Sequence, residues 1–75
     1  MNIRFTRHAE DMLQERDLSR ELIEKTVIGP DWTEKENGKW HAFKRIGRRT
    51  LRVVVVTEGK CHIVITAYYD RRLNR

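Results

Sequence analysis

The sequence predicts an α+β domain in which two N-terminal helices pack on one face of a four-stranded antiparallel sheet. Three observations carry that reading: apolar residues at helical spacing before Pro30, alternation after it, and turn residues at Asn37-Gly38, Gly47 and Gly59. Residues 1–75 have room for one domain, and no repeat, linker or low-complexity stretch divides them.

Thr6 is placed to cap the first helix, with Ala9, Met12 and Leu13 on its inner stripe, and the helix is expected to run to about Arg16. Ser19 caps the second, where Leu18 can pack on Ile23 as a hydrophobic staple and Leu22, Ile23 and Val27 form the buried stripe. Gly29-Pro30 ends it, glycine accepting a left-handed C′ position and proline refusing to continue. Strands are expected near 32–35, 40–46, 50–57 and 61–69. Asn37-Gly38 reads as a two-residue hairpin loop, whereas 47–49 and 58–60 read as three-residue loops. That register aligns Trp32, Phe43, Val53 and Ile65, flanked by Leu51, Val55, Ile63 and Ala67, as the face that packs on the helices. The opposite face then carries Lys44, Arg52 and Thr66, with Tyr68 near its end.

Charge is distributed unevenly. Residues 1–37 hold six Lys/Arg and nine Asp/Glu, a balance of 6 − 9 = −3, and residues 38–75 hold ten and two, a balance of 10 − 2 = +8. A basic second half points to a polyanionic partner on one face, although solubility alone can select for such a surface. Cys61 is the only cysteine, so no internal disulfide is available, as expected for a reducing cytoplasmic setting. His8, His41 and His62 are too scattered for a metal box, and no cofactor motif is present. The longest apolar run, Val53–Val56, is too short to span a bilayer, and no secretory leader is expected. A chain this short buries only about 60% of its unfolded surface, so a partner subunit is the expected supplement to its stability, whether another protein or a second copy.

In the register above, Lys44 and Arg52 sit opposite each other, an arrangement that a phosphate between them would relieve and that splaying into solvent would also relieve. Gly47-Arg48-Arg49 forms a basic tip next to Arg45. Arg71, Arg72 and Arg75 form a basic tail just past Tyr68 and Tyr69, where rings can stack bases while cations hold the backbone. Tyr69 is expected to pack inward and Tyr68 to face the open side, while Asp70 is available to pair with Arg71 or Arg72. His8 borders the apolar stripe of the first helix and is either a structural edge residue or a proton-transfer group. His41, paired beside Glu34, and His62, near a turn, are weaker candidates.

The motifs Ile3-x-Phe5-Thr6-x-His8-Ala9, Met12…Arg16, Ser19…Ile23…Thr26 and Pro30-Asp31 resemble a small prokaryotic family of unknown function. Lys44-Arg45-Ile46, Leu51-Arg52-Val53-Val54-Val55 and Val64-Ile65-Thr66-Ala67-Tyr68 extend the resemblance over nearly the whole chain. That family is similar to the RelE, HigB and BrnT type toxins, whose fold is helices followed by a four-stranded antiparallel sheet. The resemblance implies the toxin of a toxin–antitoxin pair, a metal-independent endoribonuclease acting on messenger RNA and held by an acidic, partly disordered antitoxin. A non-catalytic module binding nucleic acid or a protein partner is the alternative on the same fold. Under the first reading Arg52 and Lys44 would stabilise the phosphorane, and His8 or Tyr68 would move protons. Thr66 would donate a hydrogen bond, and Arg45, Arg48, Arg49, Arg71 and Arg72 would hold RNA.

Overall fold

The computed structural model describes residues 2–71. In chain order the elements are β1 (Asn2–Phe5), α1 (Arg7–Glu15), α2 (Arg20–Ile28), β2 (Trp32–Glu36), β3 (Lys39–Ile46), β4 (Arg49–Glu58) and β5 (Cys61–Tyr69). Both helices start where expected. Thr6 accepts from Ala9 N at 3.1 Å and Ser19 accepts from Leu22 N at 3.0 Å, each satisfying an otherwise orphaned first-turn donor. Gly29 ends α2 without the expected left-handed turn, at φ −134°, and its N–H closes on Lys25 O.

The sheet corrects the sequence-based expectation. It has five strands in the order β1-β5-β4-β3-β2, and β1 runs parallel to β5, so it is mixed rather than four-stranded and antiparallel. The alternation Ile3-Arg4-Phe5 is too short to announce a strand, and its partner Cys61–Val64 lies at the far end of the chain.

Register is the second correction. Ile46 pairs with Arg49 and Glu58 with Cys61, so both turns are two-residue loops, not three. Gly47 at φ 63° and Gly59 at φ 59° hold the first central position with positive φ, as a type II′ hairpin requires. Asn37 and Gly38 both have positive φ, the type I′ pattern that was expected. Shortening a loop by one residue exchanges the faces of the adjoining strands. Phe43 therefore lies opposite Trp32 and Arg52, and Lys44 lies opposite Leu51. A bulge completes the pattern: Val54 pairs with Thr66 but Val55 with Val64, leaving Ile65 as the extra residue. Thr6 clamps this bulge, its N–H donating to Val64 O and its hydroxyl to Ile65 O.

The helices cover one face. Ala9, Leu18, Ile23 and Val27 pack there on Ala42, Leu51, Val53, Val55, Val64 and Ala67 as one buried cluster, with Phe5 and Tyr69 at its margin. Burying each branched aliphatic side chain contributes roughly 1.5–3 kcal/mol. Leu51, Val53, Val55, Ala67 and Tyr69 thus lie on the expected face, while Trp32 and Phe43 lie on the other. No helix among the described residues is long and apolar enough to cross a membrane.

Candidate catalytic cleft and nucleic-acid interface

The face away from the helices is organised around one aromatic ring. Phe43 is fully enclosed although it lies outside the main core. Trp32 stacks on it from β2, with centroids 4.8 Å apart and planes 3° from parallel. The Arg52 guanidinium sits 4.9 Å from the ring centroid, and the His41 ring lies 6.4 Å away. Asp31 fixes Trp32 in place, because its N–H donates to Phe43 O at 2.7 Å and its carboxylate accepts from Arg45 N at 2.8 Å.

A polar chain crosses this floor. Arg52 Nε donates to His41 Nδ1 at 3.0 Å, and Arg52 Nη1 donates to Asp70 Oδ2 at 2.7 Å. The side chains of Arg52 and His41 are each 13% exposed and that of Asp70 is 4% exposed. Asp70 owes its position to β4, since its N–H continues the ladder onto Thr50 O. A nitrogen that accepts a hydrogen bond carries no proton, so neutral His41 carries its hydrogen on Nε2. That nitrogen faces Glu36 Oε2 at 3.8 Å, on the exposed edge strand. The result is a line of alternating character, Asp70–Arg52–His41–Glu36, whose buried end is an ion pair and whose open end is an N–H beside a carboxylate.

A cleft of about 290 Å³ opens over this line. Glu36, Asn37, Lys39, His41, Thr66 and Tyr68 contribute its polar groups, and Val54 and Ile65 its apolar floor. The bulge at Ile65 is what brings both Ile65 and Thr66 to its wall. A carboxylate, an imidazole N–H, an ammonium group, a hydroxyl and a phenol therefore share one shallow basin. Among the described residues no group of His, Cys, Asp and Glu has the geometry to hold a metal.

Of the residues picked from sequence, Thr66 and Tyr68 line the cleft, and Arg52 lies beside it, directly across the strands from Tyr68 and bonded to His41. Lys44 does not. It lies on the helix face, where its Nζ reaches Gly29 O at 3.4 Å and meets the negative end of α2. The expected Lys44–Arg52 pair is thus absent, the two being on opposite faces because the β3–β4 turn is one residue shorter than expected. His8 is exposed on α1, in the helical layer, and not at the buried edge. His62 joins a separate chain on the helix face, where Trp40 Nε1 donates to Thr57 Oγ1, itself 3.0 Å from His62 Nδ1. Asp70 pairs with Arg52, and its expected partner Arg72 lies outside the described residues.

The arginines expected to hold RNA are dispersed. Arg45 is exposed on the cleft face, Arg48 caps the β3–β4 turn, and Arg49 lies over the Tyr69 ring at 4.0 Å. Arg71 lines a second cavity with Arg49, and Arg72 falls outside the described residues. Sequence reasoning underrated His41 and passed over Glu36, Lys39 and the Asp70–Arg52 pair. The available signal was the alternation Lys39-x-His41-x-Phe43, which joins the Arg52 face once the turn is given two residues.

Residues 5–69 match the family described as Domain of unknown function (DUF4258). The chain belongs to this family. The match includes Glu36, His41, Arg52, Thr66 and Tyr68 and stops one residue before Asp70. The expectation of a family of unknown function is met, and nothing in the match links it to the RelE, HigB or BrnT toxins. No curated protein and no solved structure matches the chain.

Proposed function

We propose that the open face binds RNA and that the cleft cleaves it without a metal, by attack of a 2′-hydroxyl on the adjacent phosphorus. The observation that carries the reading is His41 held by Arg52 with its Nε2–H beside Glu36. Glu36 takes the proton of the attacking hydroxyl. His41 Nε2–H, Lys39 and the Arg52 cation stabilise the negative charge that builds on the phosphorane oxygens. Tyr68 gives its proton to the departing 5′-oxygen, which leaves a 2′,3′-cyclic phosphate on one fragment and a 5′-hydroxyl on the other. Thr66 donates a hydrogen bond to the same phosphate.

The wider reading is that of a cytoplasmic toxin, supported by the motif resemblance alone. In that reading an acidic antitoxin covers the basic face, and its binding competes with RNA. A non-catalytic nucleic-acid-binding module is the second reading, favoured by the way His41, Arg52 and Asp70 satisfy one another and could serve only to hold a surface rigid.

Incubation of a defined RNA with the protein in excess EDTA separates the two. The proposal expects fragments ending in 2′,3′-cyclic phosphate, and a loss of about 10²-fold or more in rate for Glu36→Gln. Unbroken RNA that the wild type binds in a salt-sensitive manner would reject catalysis and leave the binding module. Growth arrest on expression, relieved by a neighbouring acidic protein, is the corresponding test of the toxin reading.

A further inference from the structure

We infer that Arg16, Arg49 and Arg71 form a phosphate pocket distinct from the cleft and separated from it by Tyr68. The inference rests on the RNA reading for the source of the phosphate, and on the arginines themselves for the site. They arrive from three remote parts of the chain: Arg16 ends α1, Arg49 opens β4 and Arg71 follows β5. Together with Tyr68 and Tyr69 they line a cavity of about 420 Å³, to which no carboxylate among the described residues contributes.

Bringing three cations to one cavity is unfavourable unless something offsets it. Elsewhere in this domain carboxylates do so, Glu10 for Arg20 and Asp70 for Arg52. Among the described residues none of Arg16, Arg49 and Arg71 makes an ion pair. They are held by other means. Arg49 lies 4.0 Å from the Tyr69 ring centroid and Arg16 lies 5.7 Å from that of Tyr68. Arg16 Nη1 also donates to Ala67 O at 3.4 Å. Ring faces and a carbonyl orient a guanidinium without neutralising it, which leaves its planar fork for an oxyanion. Phosphate takes such forks bidentately, and the tyrosines supply the face on which an attached base can stack. Tyr68 lines both this cavity and the cleft. A chain with one phosphate in the pocket therefore passes the tyrosine to reach His41. The phosphate is either the terminal monoester of an RNA end or an internal diester.

The test is a titration with inorganic phosphate at fixed ionic strength, followed by nitrogen-15 NMR of the arginine Nε–H and backbone signals. Saturable shifts centred on Arg16, Arg49 and Arg71 are expected, with affinity falling about tenfold or more in Arg16→Gln and in Arg49→Gln, the scale of one charge-assisted hydrogen bond. Arg49→Lys, which keeps the charge and loses the fork, should fall between the wild type and Arg49→Gln. An uncleavable 2′-O-methyl oligonucleotide, with and without a 5′-phosphate, identifies the source. A terminal site prefers the phosphorylated form in the wild type and loses that preference in Arg49→Gln. An internal site weakens equally for both, with the salt slope falling by about one. Absence of saturable shifts at these residues, or glutamine variants that bind phosphate as the wild type does, overturns the pocket. Phosphate binding by a protein that cleaves no RNA would end the nuclease reading and leave the pocket standing.

Discussion

The two faces of this sheet are buried by different physics. The helix face is closed by aliphatic side chains from both layers, with Ile23, Leu51, Val53, Val55 and Val64 each at 0% exposure. The open face also hides a large side chain completely, Phe43, but beneath a stacked indole, a guanidinium and an imidazole. Aliphatic burial is non-directional and tolerates approximate fit. The cover over Phe43 is directional: Arg52 must meet His41, Asp70 and the ring at once. One face thus supplies stability and the other supplies fixed polar geometry, which is the prerequisite for a site.

Substitution on each face should separate these contributions. Ile23→Ala leaves a cavity in the closed core and should cost about 4 kcal/mol, within the usual range for such truncations. A domain of this size holds only about 4–11 kcal/mol in total, so the variant should be close to unfolded. Urea denaturation gives the measurement; a loss under about 1.5 kcal/mol would mean that the helices pack loosely. Asp70→Ala acts on the other face, stranding the Arg52 charge at 13% exposure. It should cost about 3 kcal/mol. If the open face is indeed held by polar geometry, the double variant Arg52→Met, Asp70→Leu recovers a large part of that loss in stability while RNA binding stays low. Recovery of both would show the pair to be structural only.

The same contrast explains what was legible in the sequence. Local chemistry was: Thr6 and Ser19 as caps, Asn37-Gly38 as a hairpin, and Leu51, Val53, Val55 and Ala67 as core. These depend on neighbours within a few residues or on plain alternation. Non-local pairing was not, so β1 was missed against β5. The register failed for a subtler reason. Choosing the most apolar face assumes that every aromatic belongs with the helices, and Trp32 and Phe43 break that assumption by plugging the open side. Two-residue turns at Gly47 and Gly59, together with the bulge at Ile65, carry the true register, and only the turns have a sequence signal. Arg52, Thr66 and Tyr68 survived the error because β4 and β5 both shifted against β3, whereas Lys44 and His41 exchanged roles.

Lys44 offers the smallest and sharpest test of that exchange. Its ammonium lies by the C-terminal carbonyl of α2, on the far side of the sheet from Arg52. A partly exposed cation at a helix C-terminus contributes about 0.3–1 kcal/mol, screened by salt. Lys44→Gln should therefore lower stability by no more than that, and the deficit should shrink in high salt. RNA cleavage and binding should remain within about twofold of the wild type, the residue being remote from the cleft, whereas Arg52→Gln should lose both. Denaturation at low and high salt, beside a cleavage and binding series for the two variants, gives the comparison. Equal loss of RNA function in both would return Lys44 to the RNA-binding face, and with it the three-residue turn that the paired register of Ile46 and Arg49 excludes.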